Sequence, residues 1–285
     1  MSWIEALILG IVQGLTEFLP VSSSGHLAIG KALFGIETAD LSFEVAVHAA
    51  TVLATIVVFW KDIVKLLEGL FRFKLNPETR YILLILLSMV PVFIVGVFFK
   101  DYVEGIFGSG LLVVGVALLV TAALLFLSET LAARRGEIPG QAGNDNIQAG
   151  NDNIQAGNDG KKMDWKSALW MGLAQAVAVI PGLSRSGSTI ATGLLCGVKK
   201  EEVTRFSFLM VLVPILGEAF LDVVDGDFSQ STVGTLPLLL GFLAAFVSGL
   251  FACRFMIAMV KKAKLKWFAL YCALVGLACL ISTWV

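Results

Sequence analysis

Long stretches of apolar residues dominate the pattern of this chain. In a helix that rises 1.5 Å per residue, four of them are long enough to cross roughly 30 Å of hydrocarbon. They occupy residues 82–99, 111–127, 235–252 and 267–285. Composition agrees with this pattern, because 57% of the residues are hydrophobic and only 15% are charged. The chain is therefore predicted to be an all-α integral membrane protein.

Two segments, 3–25 and 165–187, are copies of each other at a constant offset of 162 positions. Each copy interrupts an apolar stretch with proline, glycine and serine. The identical pairs are Trp3/Trp165, Ala6/Ala168, Leu7/Leu169, Gly10/Gly172, Gln13/Gln175, Ser22/Ser184, Ser24/Ser186 and Gly25/Gly187. Broken hydrophobic segments at matching places in two halves indicate a site near the middle of the bilayer.

The basic residues predict the topology. Of the 21 lysines and arginines, 18 fall in the four stretches 61–80, 134–166, 199–205 and 254–266. The positive-inside rule places these stretches on the cytoplasmic side. The connections at 100–110 and 222–235 carry an excess of acidic residues and are predicted to face outwards.

Counting the crossings then gives the domain organisation. Spans are expected near 43–60, 82–99 and 111–127 in a first half (1–130), and near 206–222, 235–252 and 267–284 in a second half (165–285). Segments 3–40 and 165–198 begin and end on one side, so each is predicted to be a re-entrant hairpin. A hairpin plus three spans in each half makes an inverted-topology repeat. Between the halves, 131–164 contains Gly- and Asn-rich heptads at 139–159 and is predicted to be a disordered cytoplasmic loop.

The first hairpin carries a buried carboxylate. Gln13 and Glu17 lie four residues apart and share a helix face. A carboxylate inside a membrane is costly and indicates function. Beyond it, Pro20 should end the first half-helix, and Ser22 should cap the second.

The tip of this hairpin is rich in hydroxyls. Ser22, Ser23, Ser24 and Gly25 precede a helix whose free N–H groups and dipole favour a phosphate. His26 lies one turn further along. Because it follows three serine hydroxyls and shares a hairpin with Glu17, a catalytic role is favoured. The other histidine, His48, lies in an apolar span and is interpreted as structural.

The second hairpin repeats this arrangement and adds a cation. Pro181 and Gly182 precede a cap at Ser184, followed by Ser186, Gly187 and Thr189. Arg185 is the only basic residue of this hairpin tip, and at membrane depth it needs an anion. That anion is Glu17 in the resting state, or a substrate phosphate held by two parallel hydrogen bonds.

Together the two tips suit the binding and cleavage of a lipid phosphate ester or anhydride. The near-neutral net charge of −1 argues against nucleic-acid binding. Four scattered cysteines are interpreted as small core residues, not as metal ligands or disulfides.

The chain resembles the bacterial undecaprenyl-diphosphate phosphatases, the bacitracin-resistance family. The resemblance rests on three motifs: Gln13-Gly-Leu-Thr-Glu17, Ser22-Ser-Ser-Gly-His26 and Pro181-Gly-Leu-Ser-Arg-Ser-Gly187. It implies hydrolysis of undecaprenyl diphosphate, which recycles the lipid carrier of cell-wall polymers and gives bacitracin resistance. It also implies a divalent cation, Mg²⁺ or Ca²⁺.

On this resemblance, Arg185, Ser184, Ser186 and the helix ends bind the diphosphate, while Glu17 with Gln13 holds the metal or a water molecule. His26 or Ser23 is the nucleophile, or His26 is the general base for water. The protein is expected in the inner membrane with its site open to the periplasm. A homodimer is one of the oligomeric states that the sequence allows.

Two other classes of membrane protein share some of these features. A lipid-carrier transporter or flippase is the alternative, because inverted repeats with broken helices are typical of secondary transporters. A type-2 phosphatidate phosphatase is excluded, because the chain lacks the KxxxxxxRP motif of that class.

Overall fold

The computed structural model describes residues 1–36, 42–99, 105, 110–134, 160–217, 233–260 and 265–283. The first half contains α1 (Trp3–Phe18), α2 (Ser23–Phe34), α3 (Ser42–Val58), α4 (Trp60–Leu70), α5 (Pro77–Phe98) and α6 (Gly110–Arg134). The second half contains α7 (Trp165–Val177), α8 (Arg185–Leu195), α9 (Lys200–Met210), α10 (Thr235–Val260) and α11 (Lys266–Ser282). Within these residues the only β-pairing is an isolated bridge between Lys161 and Val198. The all-α prediction is confirmed.

Three helices, α5, α6 and α10, are long and apolar enough to cross a membrane. They coincide with the spans predicted at 82–99, 111–127 and 235–252. The spans predicted near 43–60 and 267–284 fall on the shorter helices α3 and α11, each of 17 residues. The span predicted at 206–222 is interrupted at Val211, continues as helix over 212–217, and then leaves the described residues. The protein is a multi-pass membrane protein.

A helix that the sequence reading did not predict follows α3. The chain bends by 74° between α3 and α4, where the cytoplasmic stretch 61–80 was expected to be a connection. Leucines and isoleucine recur along α4 with the spacing of an amphipathic helix, at 63, 66, 67 and 70. Its polar face is held by ion pairs from Asp62 to Arg205 and from Lys65 to Glu78.

Both hairpins consist of helices too short to cross a bilayer. They have 16 and 12 residues in the first hairpin and 13 and 11 in the second, whereas a span needs about 20. The second hairpin begins where Asp164 caps α7 by accepting from the Ser167 N–H at 2.8 Å. Hydrogen bonds from the side chain and the backbone of Ser167, together with the hydrogen bond and charge of Lys161, lower the pKa of Asp164 to about 2.

The two halves interlock through their hairpins. Helix α1 packs against α10 of the second half, and α7 packs against α5 of the first. Gly10 and Gly172, which are equivalent in the repeat, make these crossings possible. A Cβ atom at Gly10 would lie 2.3 Å from the Gly241 carbonyl oxygen, and one at Gly172 would lie 2.3 Å from that of Ser88. Small residues permit such close helix packing in membranes.

Parts of the predicted organisation fall outside the described residues. These parts are the heptads at 139–159, the acidic connection at 222–227 and most of the 100–110 turn. The predicted loop at 131–164 is described only at its ends. There α6 continues to Arg134, and Gly160–Asp164 runs beside Gly197–Lys199 through backbone hydrogen bonds at Lys161 and Lys199.

Candidate active site

The tips of the two hairpins meet. Ser186 Oγ donates to the Leu19 carbonyl at 3.1 Å, and the Gly182 N–H donates to Ser24 Oγ at 3.4 Å. A Cβ atom at Gly25 would lie 3.2 Å from Gly182 Cα, so the backbones are almost in contact. The two tips are therefore in direct contact with each other.

The first tip turns where the sequence predicts. Helix α1 ends at Phe18, since Leu19 is extended before Pro20. Ser22 caps α2, with its Oγ accepting from the Gly25 N–H at 3.2 Å. Its φ of 71° is rare for a residue with a side chain. Strained backbone of this kind is held by its surroundings and is concentrated at functional sites.

The second tip has the same construction. Ser184 caps α8 by accepting from the Gly187 N–H at 3.0 Å, and Gly182 provides the turn with a φ of 86°. A residue on α6, Thr121, accepts from the Ser184 N–H at 3.0 Å. Thr121 was not among the predicted site residues, because its apolar surroundings in α6 give no local signal.

Glu17 is the centre of the polar network at the junction. One carboxylate oxygen pairs with Nη2 of Arg185. The other accepts from Ser23 Oγ at 2.6 Å and from Gln13 Nε2 at 3.0 Å. The Glu17 side chain is only 7% exposed. The predicted resting pair of Glu17 and Arg185 is therefore present, and a carboxylate held this way can accept the serine proton.

His48 also reaches this network, although the sequence reading took it as structural. Its Nε2 lies 3.9 Å from Glu17 Oε2, and its Nδ1 lies 2.8 Å from the Glu44 carbonyl oxygen. No local signal predicts this contact, since it depends on how α3 packs against α1.

His26 contacts the first tip and α11. Its Nδ1 is 2.8 Å from the Ser22 carbonyl oxygen, and its Nε2 is 2.7 Å from the hydroxyl of Tyr271 on α11. The sequence reading also missed Tyr271, which is 245 residues away in the chain.

A small cavity opens beside Glu17. Its polar wall comes from both hairpins, α3 and α9: Glu17, Thr51, Thr55, Arg185, Ser186 and Ser207. Its apolar wall is formed by Phe18, Val52, Phe208, Val211 and Ile215. Charged and hydroxyl groups facing an apolar wall suit a molecule with an anionic head and a hydrocarbon tail.

The remaining predicted residues have supporting positions. Ser22 and Ser24 lie 3.3 Å apart through their hydroxyls, as do Ser184 and Ser186 at 3.4 Å. Thr189 is buried and directed to Ser207, with 2.6 Å between the hydroxyls. A Cβ atom at Gly187 would lie 3.0 Å from Ser184 Oγ, so the glycine leaves room for the cap.

The side-chain oxygens around Glu17 determine which kind of divalent cation could bind there. Among the described residues no three or more His, Cys, Asp or Glu side chains cluster in a way that could hold a metal. The fully buried Oε1 of Gln13 has no hydrogen-bond partner among them. Mg²⁺ is usually held by one or two carboxylates plus the phosphates of its substrate. Glu17 and Gln13 fit a cation of that kind.

The chain therefore belongs to the class of helical membrane proteins that hold a polar, charged site between two broken helices. Comparison with known proteins identifies the family within that class. The family model for bacitracin resistance protein BacA matches residues 6–278, so the chain belongs to the BacA family.

Curated relatives agree over the full length. A protein of Bacteroides thetaiotaomicron is 54% identical over 286 residues, covering 99% of both chains. One from Parabacteroides distasonis is 56% identical over 287 residues, again covering 99% of both. A more distant relative from Methanosphaera stadtmanae is 37% identical over 98% of this chain and 97% of its own. Each of these relatives is named undecaprenyl-diphosphatase.

Proposed function

We propose that this chain hydrolyses undecaprenyl diphosphate to undecaprenyl phosphate and inorganic phosphate. The observation that carries the proposal is Glu17, held between Arg185 and Ser23 where the two tips meet. A base, a nucleophile and an anion-binding cation are thereby within contact of one another. The names of the relatives favour hydrolysis over the transporter alternative.

Arg185 and the helix ends form the binding site for the diphosphate. The N-termini of α2 and α8, capped by Ser22 and Ser184, both lie at the junction. Their free N–H groups favour a phosphate group. Arg185 exchanges Glu17 for the phosphate, to which a guanidinium donates two parallel hydrogen bonds.

Ser23 is the nucleophile and Glu17 its base. The Ser23 proton passes to Glu17 Oε2, to which it already donates at 2.6 Å. A bond forms between Ser23 Oγ and the terminal phosphorus, and the bond from that phosphorus to the bridging oxygen breaks. Undecaprenyl phosphate leaves, while Arg185 stabilises the charge on the transferred group. Attack by water on the phosphoserine then breaks the bond from phosphorus to Ser23 Oγ and releases inorganic phosphate. The proton held by Glu17 returns to Ser23 Oγ, which restores both residues.

Glu17 and Gln13 are the residues that would hold a divalent cation, Mg²⁺ or Ca²⁺, delivered with the diphosphate. The unpartnered Gln13 Oε1 and the carboxylate supply the oxygen ligands that hard cations prefer. When bound, such a cation offsets phosphate charge. Serine activation by Glu17 needs only the contact already described.

The pattern of contacts supports an inverted-topology repeat with six spans. Helix α1 packs on α10 as α7 packs on α5, which is the exchange expected when two related halves interlock. The basic clusters support a cytoplasmic location for the stretches that carry them. The first tip would then reach the site from the periplasmic side of the inner membrane, where the substrate is taken up.

Phosphate release by the purified protein tests the proposal. Wild-type protein in detergent should release one phosphate for each undecaprenyl diphosphate consumed, and Ser23→Ala should remove almost all of this activity. Ser282→Ala is a matched control, because this exposed serine at the end of α11 bonds among the described residues to the Cys279 carbonyl alone. If wild-type protein releases no phosphate, the proposed reaction is wrong. Full activity in Ser23→Ala would instead transfer the nucleophilic role to another group.

A further inference from the structure

The contacts of His26 determine which of its ring nitrogens carries the proton. Nδ1 lies 2.8 Å from the carbonyl oxygen of Ser22. A carbonyl oxygen can only accept, so Nδ1 must donate. In the neutral ring the proton is therefore on Nδ1, and Nε2 presents a lone pair.

Tyr271 occupies that lone pair. Its hydroxyl lies 2.7 Å from His26 Nε2 and donates to it. The two rings are nearly parallel, with an interplanar angle of 9° and centroids 5.6 Å apart. Two polar contacts and one stacked ring thus fix the orientation of the imidazole.

The contact belongs to a wider attachment of α11 to the first tip. The neighbouring thiol of Cys272 lies 3.6 Å from the Pro20 carbonyl oxygen. Two consecutive residues of α11 therefore contact the turn that carries Ser22 and His26.

The second tip is supported in a corresponding way. Thr121 on α6 accepts from the backbone N–H of Ser184 at 3.0 Å. Each tip is thus contacted by a hydroxyl from the last helix of the opposite half. Because both tips have such a support, the Tyr271 contact is not an isolated surface interaction.

We propose that Tyr271 is a positioning residue for the reaction: its hydroxyl holds His26 in the Nδ1–H form and fixes the imidazole against the Ser22 carbonyl, at the helix cap that precedes Ser23. This inference rests on the proposed function for its catalytic part. Ser23 and His26 are three residues apart at the start of α2, so they share a helix face. An imidazole held in one tautomer and one orientation keeps the cap before Ser23 in one geometry, and small displacements of a reacting group lower the rate.

The exposure of Tyr271 separates it from the buried network around Glu17. Tyr271 is 44% exposed, so replacing it by phenylalanine creates no buried cavity. The hydroxyl can therefore be removed with little change in packing. This makes Tyr271→Phe a direct test of the hydrogen bond.

The kinetic test compares Tyr271→Phe with Tyr81→Phe. The Tyr81 hydroxyl is buried without a hydrogen-bond partner among the described residues, so it provides a matched control. We expect Tyr271→Phe to lower kcat roughly threefold to tenfold, as the loss of one hydrogen bond allows, with KM nearly unchanged. Tyr81→Phe should leave both constants as they are. An unchanged kcat in Tyr271→Phe would overturn the positioning role.

The spectroscopic test does not depend on activity. The chain has two histidines, His26 and His48, so protein labelled with ¹⁵N in its histidine rings, and carrying a histidine-free affinity tag, gives two ring spin systems. His26→Asn assigns them by removing one. We expect Tyr271→Phe to shift the Nε2 resonance of His26 and to leave that of His48 in place.

The two tests separate the two proposals. An unchanged His26 spectrum in Tyr271→Phe would show that the hydrogen bond is absent, and the inference would be wrong whatever the substrate. If Tyr271→Phe shifts the His26 resonance but the wild-type protein releases no phosphate, the hydrogen bond is established. The proposed function and the catalytic part of this inference are then refuted.

Discussion

Arg185→Lys separates charge from geometry at the junction of the two tips. The substitution keeps a positive charge next to Glu17, whose side chain is only 7% exposed. Folding should therefore be little affected, since the carboxylate still has a cation. What is lost is the planar guanidinium, which can hold a phosphate through two parallel hydrogen bonds, whereas an ammonium acts as a point charge.

The expected magnitude follows from the bonds at stake. A hydrogen bond to a charged group contributes about 1.5–3 kcal/mol. Losing one of the two guanidinium bonds in the transition state corresponds to a fall in kcat of roughly 10- to 150-fold. Arg185→Met should behave differently. It leaves Glu17 buried without its cation, and breaking such a pair costs about 3–5 kcal/mol of stability. Ser23 and Gln13 still donate to the carboxylate, so the lower end of that range is expected.

The assay measures phosphate release at saturating undecaprenyl diphosphate, together with thermal unfolding followed by tryptophan fluorescence. Arg254→Lys serves as the matched control, because Arg254 is exposed on α10 and distant in sequence from both tips. We expect Arg185→Lys to unfold near the wild-type temperature with greatly reduced kcat. Arg185→Met should have both a lower unfolding temperature and a greatly reduced kcat. A kcat in Arg185→Lys within about threefold of wild type would refute the reasoning, and Arg185 would then be a structural partner of Glu17.

Two further predictions concern the base and the orientation of the site. Glu17→Gln should abolish phosphate release and its dependence on divalent cations while the protein still folds; unchanged activity with unchanged cation dependence would show that Glu17 only packs. For orientation, the four native cysteines are replaced and single cysteines placed at positions 24 and 226. An impermeant thiol reagent added to intact spheroplasts should label 226 quickly and 24 more slowly, with substrate protecting 24. Labelling of 24 only after the cells are opened would mean that the site faces the cytoplasm.

Much of this protein could be predicted from local sequence signals. Apolar runs of sufficient length predict spanning helices, since no other arrangement of a single segment satisfies its backbone in lipid. Pro20 and Pro181 mark the breaks, and Ser22 and Ser184 cap the helices that follow. These features depend only on a residue and its near neighbours in the chain, so they can be predicted without knowing the fold.

The partners of the site residues were harder to predict. The pair between Glu17 and Arg185 could be inferred, because an isolated charge in a membrane is costly enough to require an opposite one. His48, Thr121 and Tyr271 gave no comparable signal. Each is a single polar residue within an apolar helix, and many such residues bond only to their own backbone.

The bend after α3 also escaped prediction. The apolar run that contains α3 continues to Trp60, and the basic residues beyond it indicate only a cytoplasmic location. The amphipathic spacing of α4 predicts a helix there, whereas the 74° bend before it depends on how α4 packs against α5.

The sequence by itself determined that the chain is a helical membrane protein, and it predicted two broken hairpins whose polar residues are the candidates for chemistry. Only the tertiary structure decided which residues surround them. Glu17 receives His48 because α3 packs beside α1, and His26 receives Tyr271 because α11 contacts the opposite tip. The physical reason is the range of the interactions. Caps and helix breaks act within about four residues, whereas contacts separated by 245 positions exist only once the helices have packed.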